Sequence, residues 1–415
     1  MKRSFMCNFR KLFTGNVIAQ LFLFGISPAL SRIYTSEQFG LYAFYTSALG
    51  VLLVVSTFAF EKIILLLENS KTVLNLCFII VACWFVGGSS LYFFTDFSPF
   101  AFIGETNKLV IFLFGAGLFA ASVQQFLTYE MMRQNRYDVL SQLKIYQAFG
   151  NGGSQLGLAK IGFPSIGLIA GDAIGRIIGA IYVFTIYLKS GSKQKQQDTI
   201  WNTIKNYHQY PLFCTPSLLF NSLALQAPTF FFMMTLGADD TGLFSFTQKM
   251  VAVPIALFTM TLSQVFYGHA SHLAKKKDLQ LQNFFQKMVR KAFLVAVIPM
   301  LLFGLFAPTI FSIVFGEEWR VAGELAQIMT PLFIAQLTIV PVSQILYITT
   351  QQRVQFFWDI GRFLALTIGF LLLEGAPLKE MVLFYCIVMT VSYAVLYLLG
   401  TQILARKGTK SIEGL

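Results

Sequence analysis

The chain has 415 residues, 56% of them hydrophobic and only 12% charged, with 31 Lys and Arg against 19 Asp and Glu and a net charge of +12. Soluble domains carry roughly twice that share of charge, so soluble domains with polar surfaces are excluded, and the alternating ten-residue strands of a membrane barrel are missing too. The composition predicts an all-α polytopic membrane protein.

Twelve apolar runs mark the helices, at about twenty residues per span. Six fall at roughly 12–34, 40–67, 73–95, 108–130, 138–161 and 163–188. Six more fall at roughly 211–236, 242–267, 288–315, 323–348, 354–373 and 380–404. The first follows Lys2 and Arg3 as a signal peptide would. It is too long for one, and Ser27-Pro28-Ala29 is a poor cleavage context, so it reads as an uncleaved span. The longest polar gaps, 189–210 and 268–287, are too short for a soluble catalytic domain. The expected organisation is a six-helix lobe over 1–188, a cytoplasmic linker over 189–210 and a second six-helix lobe over 211–415.

A local echo supports two similar halves. Phe39-Gly40-Leu41-Tyr42-Ala43-Phe44 returns as Thr241-Gly242-Leu243-Phe244-Ser245-Phe246, three of six positions being identical. Each copy follows an apolar stretch with a proline (Pro28, Pro228) and a short acidic-polar link. Chance is the competing reading, since Gly, Leu and Phe are common here. A true repeat points to a pseudo-symmetric transporter.

Loop charges set the orientation. Alternate loops carry 21 Lys and Arg on one side against five on the other (Arg32, Lys108, Lys160, Arg320, Lys379). Both termini are therefore expected in the cytoplasm. The basic excess follows from membrane orientation, and no base-reading face that would indicate nucleic acid is present. Lys275-Lys276-Lys277 suits anionic membrane lipids.

Cofactor signals are lacking. Five cysteines, four inside apolar runs, are expected to be reduced and buried. His208, His269 and His272 have no carboxylate or cysteine cluster, so no metal site is expected. Neither a phosphate-binding glycine loop nor a catalytic constellation occurs.

Polar residues inside the runs are the candidate site. Lys144, Gln147, Asn151 and Gln155 follow at steps of three, four and four, on one helical face of the fifth run. Such a stripe faces either a wet cavity or another helix; Asn16, Gln20, Ser27 and Ser31 repeat the idea in the first run. Ionisable groups at membrane depth are Glu61, Lys62, Asp172, Arg176, Lys249, Asp359 and Arg362. Each costs at least about 2.5–3.5 kcal/mol at the bilayer centre unless paired or wet. Asp172–Arg176 and Asp359–Arg362 have the spacing of local ion pairs, structural or functional. Lys144 and Lys249 have no acid three or four residues away, which favours them as anion contacts. Lys62 lies near the cytoplasmic end and could snorkel. Gly167, Gly171, Gly175 and Gly179 form a small-residue seam for close helix packing. Nine prolines in the second half, against three in the first, predict bent helices there.

Two stretches carry a family resemblance. Ser27-Pro28-Ala29-Leu30-Ser31-Arg32-Ile33-Tyr34-Thr35-Ser36-Glu37-Gln38-Phe39-Gly40-Leu41-Tyr42 resembles the first corner of bacterial oligosaccharide flippases, the polysaccharide transport branch of the multidrug/oligosaccharidyl-lipid/polysaccharide exporters. Phe315-Gly316-Glu317-Glu318-Trp319-Arg320-Val321-Ala322-Gly323-Glu324 resembles a second corner of that family. The resemblance implies two six-helix lobes in a V around a cationic cavity. It also implies a substrate: an oligosaccharide unit on undecaprenyl pyrophosphate, flipped across the bacterial inner membrane. Residue reasoning alone then assigns Lys144, Arg176, Lys249 and Arg362 to the pyrophosphate. It assigns Gln147, Asn151 and Gln155 to sugars. Asp172, Asp359 or Glu61 are the expected carboxylates for H+ or Na+ coupling. A membrane glycan polymerase is the rival from another class, but its sizeable periplasmic loop is missing: 96–107 is short and has no Arg or His. A drug or metabolite exporter of the same fold is a third reading.

Overall fold

A computed structural model describes residues 2–65, 70–94, 108–190, 200–208, 210–275, 280–349 and 351–412. The expected loop 96–107, linker residues 191–199 and Lys276-Lys277 lie outside the described residues. Among those described the protein is helical with no strand. The first helices are α1 (Lys2–Ser31), α2 (Ser36–Val55), α3 (Lys71–Phe94), α4 (Lys108–Arg133), α5 (Tyr137–Lys160), α6 (Pro164–Lys189) and the short α7 (Ile200–Asn206). They are followed by α8 (Thr215–Thr235), α9 (Ala238–Lys275), α10 (Gln280–Phe315), α11 (Arg320–Ile328), α12 (Thr330–Ile339), α13 (Ile345–Ile348), α14 (Gln352–Leu372) and α15 (Leu378–Ile412).

The chain is a multi-pass membrane protein. Nine of the described helices are long and apolar enough to span, ten with one bent pair. Two further runs account for the expected twelve: α3 has a shorter described apolar stretch, Lys71–Val86, and α5 is diluted by its polar stripe.

Three runs depart from single α-helices, each for a local reason. The run 323–348 is broken, with Glu317–Ile328 and Thr330–Val342 meeting at 55°. Pro331 sits in the first turn of α12 and Pro341 just after it, and each removes an N–H donor. The run 40–67 ends as α-helix at Val55. Phe58 and Ala59 then adopt positive φ (49° and 58°), and a 3₁₀ turn covers Phe60–Leu65. The run 211–236 opens as a π turn over Tyr210–Cys214, around Pro211. Conversely, most of the gap 268–287 is helix, because α9 and α10 run 38 and 36 residues, well beyond the roughly 20 that span a bilayer.

Contacts divide the chain into two compact units, Met1–Phe230 and Phe231–Leu415. In the first, α5 packs on α1 and α6, and α4 packs on α6. The glycine seam makes this possible: a Cβ at Gly175 would lie 2.7 Å from the Asn151 backbone nitrogen, and one at Gly171 2.9 Å from that of Gln155. A buried cluster of Phe60, Ile63, Cys77, Phe126, Leu143 and Val183 ties the 3₁₀ turn to α3, α4, α5 and α6. In the second unit α10 packs on α11 and α12, and α15 on α12 and α14. Its outer face, with Leu294, Ile298, Leu301, Leu305 and Ile313 exposed on α10, is an apolar surface suited to lipid.

Both echoed corners sit at a helix start. Thr35 caps α2, accepting from the Gln38 N–H at 3.4 Å while its own N–H donates to Gln38 Oε1 at 3.2 Å, a reciprocal capping box. The later copy opens α9 after Gly237 (φ 89°), with Asp239 and Asp240 in the first turn. Its Phe246 packs on buried Trp319 with ring centroids 4.0 Å apart and the planes tilted by 34°, and meets Phe315 edge-on at 5.0 Å. Gly316, at φ 114°, supplies the backbone turn that only glycine adopts easily.

Candidate transport site

The polar stripe of α5 serves two purposes along its length. At one end Asn151 and Gln155 are buried against α6. Asn151 Nδ2 donates to Asp172 Oδ1 at 3.0 Å, and Gln155 Nε2 donates to the Leu168 carbonyl at 3.1 Å. The Tyr34 hydroxyl donates to the Gln155 carbonyl at 2.7 Å. At the other end Gln147 is half-buried and Lys144 exposed. Spacing alone left two readings of the stripe, and the deep half makes interhelical bonds.

Asp172 and Arg176 form the expected i,i+4 pair, Nε to Oδ2 at 2.5 Å, the acid side chain 5% exposed and the base 20%. Gln124 Nε2, from α4, donates to the Arg176 carbonyl at 2.6 Å and fixes that turn of α6. Lys144 lies within electrostatic reach of Arg176. Among the described residues no carboxylate pairs with Lys144. Two cations therefore stand together, and the acid of the cluster, Asp172, pairs with Arg176. Tyr42 and Tyr45 of α2 also face this cluster, a pair that residue reasoning passed over. Their i,i+3 spacing on one helix was the available signal.

Glu61 sits elsewhere in the first unit, in the turn after α2. It is buried, accepting from the Thr57 hydroxyl and from Gln125 Nε2 at 2.9 Å. Lys62 reaches Cys214 Sγ at 3.6 Å. Also missed was Glu130, buried at the end of α4. It accepts from Ser70 Oγ (2.6 Å), Arg133 (2.9 and 2.6 Å) and Gln134 (2.6 Å). Every bond it offers is taken, which makes it a tie between the start of α3 and α4. Cys77 and Cys386 are buried thiols as expected, but Cys83 is exposed on α3.

In the second unit Arg362 is the buried member, its side chain 7% exposed against 23% for Asp359, at 3.1 Å. Its guanidinium lies 4.6 Å above the Trp358 ring, a cation–π contact. Asp359 accepts further from Gln355 Nε2 at 3.1 Å, and Trp358 Nε1 donates to the Ser392 carbonyl at 2.9 Å. Lys249 is exposed on α9, next to Gln248, whose Nε2 donates to the Tyr385 hydroxyl at 3.0 Å.

A family model described as "Polysaccharide biosynthesis protein" matches residues 29–324. The chain belongs to this family. The match takes in the second corner stretch, the first from Ala29 onward and all the first-unit residues above, as well as Lys249. Among curated proteins none matches the sequence. Family membership is joined by a likeness of fold to solved transporters. The lipid II flippase MurJ in an inward closed conformation superposes with a TM-score of 0.70 at 12% identity, covering 98% of this chain and 91% of that one. An inward-facing multidrug resistance MATE family transporter of the MOP superfamily gives 0.65 at 12% identity, covering 96% of each chain. Its outward-facing counterpart gives 0.63 at 12%, covering 97% of this chain and 96% of that. The fold of this family member is thus the MOP transporter fold.

Proposed function

We propose that the protein flips an undecaprenyl-pyrophosphate-linked oligosaccharide, an O-antigen or capsule repeat, across the bacterial inner membrane by alternating access. The family is one of polysaccharide biosynthesis and the fold that of flippases and exporters. The observation that carries the substrate class is Lys144, a membrane-depth cation with no paired carboxylate among the described residues, set beside Arg176. An uncompensated charge there is costly unless a ligand or water answers it. A diphosphate supplies that charge.

In this reading Lys144 and Arg176 hold the diphosphate and Gln147 offers its amide to the sugars. Asn151 and Gln155 act on the same stripe by holding α6 and Asp172 in register. Lys249 and Arg362 are the corresponding cations of the second unit. Asp172, more deeply buried than the paired Asp359, is the favoured coupling carboxylate for H+ or Na+, ahead of Asp359 and Glu61. The six-plus-six division, with lobes over 1–188 and 211–415, belongs to the same proposal, as do cytoplasmic termini.

Deleting the gene tests the function directly. Lipid-linked units should accumulate with the headgroup still cytoplasmic; single units that reach the outer leaflet unpolymerised would favour a polymerase instead. Lys144→Ala should abolish surface glycan at unchanged protein level, and normal glycan removes Lys144 from the site. A reporter fused at Asp239 should read periplasmic and one at Lys276 cytoplasmic; the reverse overturns the orientation.

A further inference from the structure

The Asp172–Arg176 pair poses a problem for any anion that binds Arg176. The guanidinium that would meet the ligand is already bonded to Asp172. If a diphosphate draws it away, the buried carboxylate loses its cation, and a stranded buried charge is strongly destabilising. Something must replace the lost bond.

Two polar atoms in the same cluster are without work. Tyr45 Oη and Asn151 Oδ1 are buried and have no hydrogen-bond partner among the described residues, in residues 3% and 8% exposed. Buried polar groups are nearly always satisfied, and the exceptions call for a reason. The Tyr45 hydroxyl lies within reach of the Asp172 carboxylate, yet in this state it is not aligned to complete a bond. Its ring is held by an edge-on contact with Phe114 at 5.7 Å and by stacking on Tyr42 at 6.3 Å, which keeps the hydroxyl near the acid. The space it occupies exists because position 117 is glycine: a Cβ there would stand 2.5 Å from the oxygen. The Tyr42 hydroxyl faces the Asn151 and Gln155 amides, within electrostatic reach of the same acid.

We propose that Tyr45 is the stand-in partner of Asp172: when a diphosphate takes Arg176, the Tyr45 hydroxyl turns its proton to the carboxylate and, with the Asn151 amide, keeps it satisfied as an anion. The exchange replaces one charge-assisted bond by another and needs no protonation of the acid. It rests on the reading of Arg176 as a diphosphate contact. Tyr45 is thereby a positioning residue, because it acts through Asp172 and Arg176.

Tyr45→Phe removes only the hydroxyl and is read in two ways on the purified full-length protein. Because the bond is unmade in the empty state, the thermal midpoint without ligand should stay unchanged or rise slightly. Affinity for undecaprenyl pyrophosphate in nanodiscs should fall about tenfold or more, the loss of one hydrogen bond to a charged group. In an Asp172→Asn background, where no anion needs a stand-in, adding Tyr45→Phe should cost nothing further. A lowered midpoint of the empty protein, or wild-type affinity in the single variant, overturns the exchange while leaving the diphosphate site standing. Wild-type protein with no affinity for the diphosphate overturns the site and the exchange together. Stabilisation of the empty wild type by Na+ that disappears in Tyr45→Phe would mean the spare oxygens hold a cation, and would also overturn it.

Discussion

In the first unit the acid of the intramembrane ion pair is the buried partner; in the second the base is. Asp172 is 5% exposed and Arg176 20%, whereas Arg362 is 7% exposed and Asp359 23%. Their surroundings differ in the same sense. Asp172 is surrounded by hydrogen-bonding side chains, the Asn151 amide and the tyrosines of α2, with two oxygens to spare. Arg362 rests on the face of Trp358, a surface that welcomes a cation and offers an anion nothing. Two pairs of similar spacing are therefore unequal devices. On the proposed reading the first releases its base toward a ligand, whereas the second holds its base against the Trp358 ring.

The comparison predicts opposite rank orders on truncation. Arg176→Ala takes the cation from a buried carboxylate; with the Tyr45 hydroxyl standing in, the loss should fall below the about 3–5 kcal/mol of a fully stranded charge, yet exceed that of Asp172→Ala. In the second unit Asp359→Ala should cost more than Arg362→Ala, because the half-open acid is hydrated once its base is gone. Thermal unfolding of the four purified variants checks the order; the same order in both units would erase the distinction. Glycines next to the two pairs sharpen it. Gly175→Ala drives a Cβ into the α5 backbone and should cost about 1–3 kcal/mol. Gly361→Ala, in α14 between Asp359 and Arg362, meets nothing within 4 Å and should stabilise by about 0.5–1 kcal/mol. A similarly small effect is expected at the first corner, where Thr35→Ala removes the α2 cap at about 1 kcal/mol, without changing affinity for the diphosphate.

How far the site was legible follows from how local each signal is. Asp172–Arg176 and Asp359–Arg362 were readable because an i,i+3 or i,i+4 pair is made within one helix. The seam at Gly167, Gly171, Gly175 and Gly179 was readable as close packing for the same reason, though not that α5 is what packs there. Tyr42 and Tyr45 were overlooked because a tyrosine in an apolar run looks like core until the helix facing it is known. Glu130 was hidden at the end of its run, its Ser70 partner lying 60 positions away. The break at Phe58 and Ala59 left no trace, since neither is a residue that favours positive φ. By contrast, the bend at Met329 follows from prolines already visible in the run.

Composition, run length and loop charge by themselves determined that this is a many-span helical membrane protein, because lipid demands long apolar helices whatever their partners. The same residues placed the ionisable groups at membrane depth and marked both corners. Only the tertiary structure decided which member of each pair is buried, since burial depends on what a neighbouring helix brings to it. It alone divided the α5 stripe into bonded amides and an exposed lysine, and left the Tyr45 hydroxyl beside Asp172 with its bond unmade.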